Sequence, residues 1–269
     1  MPHQRSDLGT AAWIVDTPAA ATGASRQSFV TVVAPEAATV TVRPTADILA
    51  GPGVLPLLAG TSQTFSLGPY DTLQLASLGD LTGTRVTSSR PVAVYSGSSN
   101  ATLLGAWGAV AETVPAARHA GTEHLLCPST RDRPYDDVDW VRVVAIEPGV
   151  TRVTFELPDG TLPSAELTQG ASAQRVFGGS MDGPVLVRST APVMVARAWT
   201  DLDAADTRTR LAFTYVLPVH RWNTTVGMYT PGGDVDAPVQ QDYAVIAARE
   251  GASLGWSSSS TAPRGPFFW

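Results

Sequence analysis

The chain has no lysine and one cysteine, and only 16% of its 269 residues are charged. Each scarcity excludes something. With Cys127 alone, no intrachain disulfide can form, so the fold must be held by its core. All basic residues are arginine and the net charge is −6, so the clustered positive charge that phosphate binding requires is missing and nucleic acid is excluded as a general partner. No apolar run approaches the ~20 residues that span a bilayer, which argues against membrane insertion. Met1-Pro2-His3-Gln4-Arg5 opens no signal-peptide apolar region, so an export signal is not expected within this chain. Helical periodicity is also scarce. Without helices of ten or more residues alternating with strands, a parallel α/β sheet is disfavoured.

What fills the chain instead is alternation and repetition. Val40 and Val42, Phe65 and Leu67, and Leu73 and Leu75 show the period of two expected of strands with one buried face. Turn chemistry separates them, as in Leu67-Gly68-Pro69-Tyr70-Asp71 and Pro158-Asp159-Gly160. The run Phe29-Val30-Thr31-Val32-Val33-Ala34 returns as Trp140-Val141-Arg142-Val143-Val144-Ala145, and more loosely as Tyr243-Ala244-Val245-Ile246-Ala247-Ala248. Val86 to Val94 likewise returns as Val187 to Val195. Offsets of 111, 103 and 101 residues are the length of a small β domain, not of a propeller blade. The expected fold is all-β, with tandem antiparallel β-sandwich repeats over 1–120 and 121–222 and an incomplete third over 223–269. Recurrence of Phe29, Trp140 and Tyr243 at one repeat position marks that position as core. Strands are expected at 84–88 and 92–96, interrupted at Pro91, with equivalents at 185–189 and 193–199.

Four blocks, Gly60-Thr61-Ser62-Gln63-Thr64-Phe65, Asp71-Thr72-Leu73-Gln74-Leu75, Asp80 to Val86 and Ser88-Ser89-Arg90-Pro91-Val92-Ala93-Val94, together resemble the N-terminal domain of IgGFc-binding protein. The resemblance is densest over 28–97 and continues through Glu112-Thr113-Val114-Pro115 to about residue 250. It implies an extracellular module, found in large multidomain and bacterial surface proteins, associated with adhesion or mucus-like matrices, with no catalytic residues. The family commonly places cysteines after the Pro-Val-Ala-Val strand and before the Gly-Thr-Glu strand, and residues 96–111 contain none here.

Acidic residues gather before the second aromatic strand at Asp132, Asp136, Asp137 and Asp139. Hard oxygen ligands on a loop are what Ca²⁺ requires, so these four are candidate calcium ligands, and no other cofactor is expected. The spacing is not that of an EF-hand, and Arg131 and Arg133 could neutralise the carboxylates instead. His119 and His124 lie close enough in sequence to meet around one strand end as a metal or proton-transfer pair. No Gly-x-Ser-x-Gly elbow is present, and Cys127 follows two leucines in a setting that suits an inert thiol. Among the aromatics, Trp107 in Gly105-Ala106-Trp107-Gly108 stands in a loop-like context and is the candidate ligand-binding residue.

The expected function is therefore a non-enzymatic extracellular or cell-surface binding and adhesion module, taking a protein or glycan ligand of the matrix or surface. Two alternatives stand beside it. One is a carbohydrate-binding module of a secreted enzyme, with Trp107 carrying the sugar. The other is a structural subunit of a surface fibre that self-associates through the incomplete third repeat by strand addition.

Overall fold

The computed structural model describes residues 8–16, 27–103, 106–127, 138–178, 183–201 and 210–222, with all their side chains but those at 106, 107, 178, 201 and 210. These residues belong to one compact unit, 1–222. The expected third repeat, 223–269, lies outside the described residues.

Seven strands build the first repeat: β1 (Gly9–Trp13), β2 (Ser28–Val33), β3 (Ala38–Arg43), β4 (Gln63–Leu67), β5 (Thr72–Ser77), β6 (Arg85–Leu103) and β7 (Ala106–Thr113). Seven build the second: β8 (Gly121–Leu126), β9 (Val138–Ala145), β10 (Val150–Glu156), β11 (Ser164–Thr168), β12 (Ser172–Gly178), β13 (Val185–Asp201) and β14 (Arg210–Tyr215). All pairings are antiparallel, and the two topologies are identical: β4-β3-β6-β2-β5 with β1 and β7 also on β6, and β11-β10-β13-β9-β12 with β8 and β14 also on β13. The tandem all-β reading holds.

The long strands β6 and β13 make the sandwich. Their first halves pair with β1 and β3, or β8 and β10, and their second halves with β2 and β7, or β9 and β14. Between the halves the chain bulges. Gly9 pairs with Val92 but Ala11 with Thr87, and in the second copy Gly121 pairs with Val193 but Glu123 with Arg188. At the bulge, Ser88 Oγ donates to the Arg90 carbonyl at 2.6 Å and Ser189 Oγ to that of Ala191 at 2.7 Å. The Thr39 amide donates to Ser89 Oγ, and the Arg152 amide to Thr190 Oγ1. Side-chain oxygens thus replace ladder partners where the strand bends, and Pro91 and Pro192 need no donor there. The break expected at Pro91 is therefore a corner within one strand, not the end of a strand.

Inward residues follow the pleat. Val30, Val32, Leu73, Leu75, Val92 and Val94 from one layer meet Val40, Val42 and Val86 from the other. At ~1.5–3 kcal/mol for each fully buried side chain of this size, such alternation selects the register, since a one-residue slip would expose every valine. The second interior is built likewise from Val141, Val143, Val153, Phe155, Val187, Val193 and Val195.

One turn differs between the copies. Between β4 and β5, Tyr70 adopts φ 64°, the one positive-φ non-glycine among the described residues, and its amide donates to the Ala34 carbonyl at 2.6 Å. In the second copy Gly170, at φ 83°, donates equivalently to the Ala145 carbonyl at 2.8 Å. A bulky side chain in this region costs about 1–2 kcal/mol, partly offset by the chain entropy that glycine loses on folding. Tyr70→Gly is therefore expected to stabilise the protein by about 0.5–1 kcal/mol and to raise its melting temperature by roughly 2 °C. Calorimetry checks this, and a lowered melting temperature would contradict the strain assignment.

Candidate binding surfaces and the joint between repeats

In the second copy, β9 is buried on both faces, whereas its counterpart β2 alternates between buried and half-buried. The reason is that the outer face of the second sheet seats on the first repeat along β9, β13 and β14, while Ser172, Gln174 and Val176 on β12 are exposed. Three rows of side chains cross that face. Ser172–Val144–Met194, Gln174–Arg142–Ala196–Tyr215 and Val176–Trp140–Ala198–Phe213 correspond to Thr72–Val33–Ala93, Gln74–Thr31–Tyr95–Thr113 and Ala76–Phe29–Gly97–Ala111. Trp140, Val144, Met194, Ala196, Ala198, Phe213 and Tyr215 join the apolar cluster of the first repeat, so one continuous core crosses the joint. The recurrent aromatic position thus lies on the outer face of the module and not, as its recurrence suggested, in the module's own interior. Trp140 is buried there by the joint, and Phe29 is half-buried.

Arg142 centres the joint. Its Nη1 donates to Asp80 Oδ2 and Thr82 Oγ1, both at 2.6 Å, and to the Asp16 carbonyl at 3.2 Å. Its Nη2 donates to Gln174 Oε1 at 2.7 Å, and the guanidinium lies 4.7 Å from the Trp140 ring. A guanidinium is the cation suited to such a place, because its planar donors reach several acceptors at once while its face stacks on an aromatic ring. Around it, Asp16 is buried and its Oδ2 accepts from the Leu81 amide, while Thr82 Oγ1 accepts from the Asp16 amide. Tyr215 completes the joint. Its hydroxyl accepts from the Val15 amide at 3.0 Å and lies within donating distance of the Val15 carbonyl and Ser96 Oγ. Burial holds its phenol protonated, well above the ordinary value. Gly83 is needed for close approach, since a Cβ there would stand 2.2 Å from the Gly170 carbonyl oxygen.

Of the four carboxylates expected as calcium ligands, Asp132, Asp136 and Asp137 lie outside the described residues. Asp139 is buried on β9, where Arg197 donates through Nε at 2.9 Å and through Nη2 to its Oδ1, with Arg197 Nη1 also donating to the Cys127 carbonyl at 2.6 Å. The neutralising partner is thus Arg197, a residue the sequence reading passed over. Among the described residues no group of three or more His, Cys, Asp or Glu side chains is arranged to hold a metal ion. Trp107 belongs to β7, with its backbone opposite Thr102, rather than to a loop.

His119 and His124 do come together. Both are buried and line one small pocket with Pro115, Tyr215 and Pro218, which has room for about one water. Arg221 Nη2 lies 3.0 Å from His119 Nδ1, whereas His124 Nδ1 is buried with no partner. Desolvation, with a smaller contribution from His220, pulls the His124 pKa down to about 4. A paired His119 and a neutral, enclosed His124 make a structural seam and not an exposed acid–base pair. The Cys127 thiol is also raised by burial, against the thiolate that nucleophilic chemistry needs.

A feature of the first repeat has no counterpart in the second. Between β3 and β4, residues 44–62 form an ordered hairpin with bridges Ile48↔Leu57 and Gly51↔Val54, where the second copy has only the short turn 157–163. Ile48 and Val54 anchor it in the core, and Asp47, its only charged residue, accepts from the Ala59 amide at 2.8 Å. Leu55 and Leu58 point outward, 75% and 68% exposed. Two neighbouring exposed leucines on a pinned hairpin are a preformed apolar contact, unlike singly scattered surface leucines. Among the described residues no helix is long and apolar enough to cross a membrane.

No curated protein and no solved structure matches this chain. The family model for IgGFc binding protein matches residues 1–259, spanning both repeats and the joint between them. The chain is a binding-type module that belongs to the IgGFc-binding protein family.

Proposed function

We propose that the chain is a non-enzymatic adhesion module displayed outside the cell, binding a protein or glycan of a matrix or surface. The observation that carries this reading is the hairpin of the first repeat, an ordered and nearly chargeless projection whose exposed leucines serve no interior. Loops held on a rigid scaffold are where binding residues concentrate, and apolar side chains fixed before contact lose little entropy on binding. The joint supports the same reading, because two modules locked by Arg142 and Tyr215 hold their surfaces at a fixed separation, which favours multivalent capture.

The test is surface plasmon resonance on immobilised mucin-type glycoprotein and immunoglobulin Fc, together with a glycan array. Saturable binding to one of them is expected, weakened at least ten-fold in Leu55→Asp/Leu58→Asp, where charge is placed at the contact. Binding that survives this double substitution would reject the hairpin as the contact. Selective glycan binding lost in Trp107→Ala would move the function to a carbohydrate module.

A further inference from the structure

We propose that the outer face of the first repeat, together with Tyr70, docks a module of this same fold on a second copy of the chain. The corresponding face of the second repeat is buried along β9, β13 and β14 by such a module within the chain, whereas the same face of the first repeat, Gly97 apart, is exposed or half-buried among the described residues. Tyr95, at the place of the joint residue Ala196, is 39% exposed, and Phe29, Thr31 and Val33 are half-buried along β2.

Two further observations favour an occupant of this kind. Although 16% of the chain is charged, the three rows crossing the face contain no Asp, Glu, His or Arg. The cores of interfaces are depleted of charge in just this way. The second is Tyr70. It is 81% exposed and held in the left-handed region, at the turn where the second repeat has Gly170, and Gly170 lies against Gly83 inside the joint. Retaining an exposed aromatic at that backbone cost, next to the face, fits a contact residue and serves nothing in the interior.

The size of the face places it in a class of interface. Four strands ~4.8 Å apart, each offering about six residues at ~3.3 Å, give roughly 400 Å², about half of the ~800 Å² per partner of a standard interface. Interfaces of this size are the weak, transient ones, so the concentration series is centred on a dissociation constant of about 10–100 µM, and the association gains from clustering of chains on a surface.

Sedimentation equilibrium over a concentration series tests this on the full chain. The mass is expected to rise with concentration for the wild type and for Thr39→Glu on the opposite sheet. Thr31→Glu, at the centre of the face, is expected to weaken association at least ten-fold. Tyr70→Gly separates binding from folding, since it should melt higher yet associate several-fold less. A wild type that stays monomeric at ten times the expected dissociation constant overturns the proposal, as does a folded Thr31→Glu that associates like the wild type. Should Thr31→Glu fail to fold, Tyr70→Gly decides, and unchanged association in that variant overturns it.

Discussion

Replacing Arg142 with methionine is expected to lower the stability of the two-repeat unit by about 3 kcal/mol, the largest effect of any single surface-to-core contact described above. The side chain is 7% exposed while its ion-pair partner Asp80 is 45% exposed. The Coulombic part is consequently screened on one side, and most of the loss comes elsewhere. Without the guanidinium, the Asp16 carbonyl loses this donor, and Thr82 Oγ1 and Gln174 Oε1 each lose one of two, keeping the Asp16 amide and Trp140 Nε1. Hydrogen bonds from a charged donor are worth about 1.5–3 kcal/mol each, and methionine replaces the volume but none of the donors. Asp80→Asn should cost less than half as much, because Asp80 can be rehydrated. Urea unfolding of the two variants and of the double variant checks the argument. If Arg142→Met lies within half a kilocalorie of the wild type, the joint is held by its apolar contacts alone, and Trp140, Met194 and Phe213 carry it.

Arg142 also shows what was legible in the sequence. The strand Trp140-Val141-Arg142-Val143-Val144-Ala145 reads as nearly continuous apolar residues, the pattern of a strand covered on both faces. Its copy Phe29-Val30-Thr31-Val32-Val33-Ala34 has threonine at the arginine position. A lone guanidinium among apolar neighbours, present in one repeat only, was a signal that something outside the module meets that face. What it meets, Asp16, Asp80 and Thr82, stands 60 to 126 residues away in the chain, and no local periodicity encodes such a distance.

The repeat itself was legible because period-two patterning and turn chemistry are local. Strands β7, β11 and β14 were not. Ala106–Thr113 is rich in small residues, Ser164–Thr168 is a largely exposed edge strand, and Arg210–Tyr215 is short, with Phe213 and Tyr215 buried between half-buried Ala212, Thr214 and Val216. All three pair with the strand just before them in sequence, so what hid them was short or weak patterning and not distance along the chain. The corner in β6 was hidden for a related reason, since Pro91 ends most strands and only the Ser88 and Ser89 hydroxyls allow this one to continue.

Acidification is expected to destabilise the protein through His124. The folded state holds this imidazole neutral, with its pKa lowered from 6.5 to about 4, first by desolvation and second by His220. The unfolded chain takes up the proton near its ordinary value. Stability from this group is therefore fully present above about pH 6.5 and falls as the pH drops toward about 4, where the folded state begins to bind the same proton. Integrated over that window the loss is about 3 kcal/mol, with a slope no steeper than ~1.4 kcal/mol per pH unit. Among the described residues nothing nearby relieves it. Arg221 is directed at His119, His220 adds positive charge when protonated, and His124 Nδ1 has no acceptor to share a proton with. His124→Leu removes the titrating group and a buried polar atom without a partner, so it should match or exceed the wild type at pH 7.5 and lose less on acidification. Carboxylates titrate in both proteins at the acid end of the window, so the quantity to read is the difference between the two stability profiles from pH 7.5 to 4.5. Divergence by about 2–3 kcal/mol over that range is expected. Parallel profiles would mean that the seam opens enough to hydrate His124, and the enclosed imidazole of β8 would then be no constraint on folding.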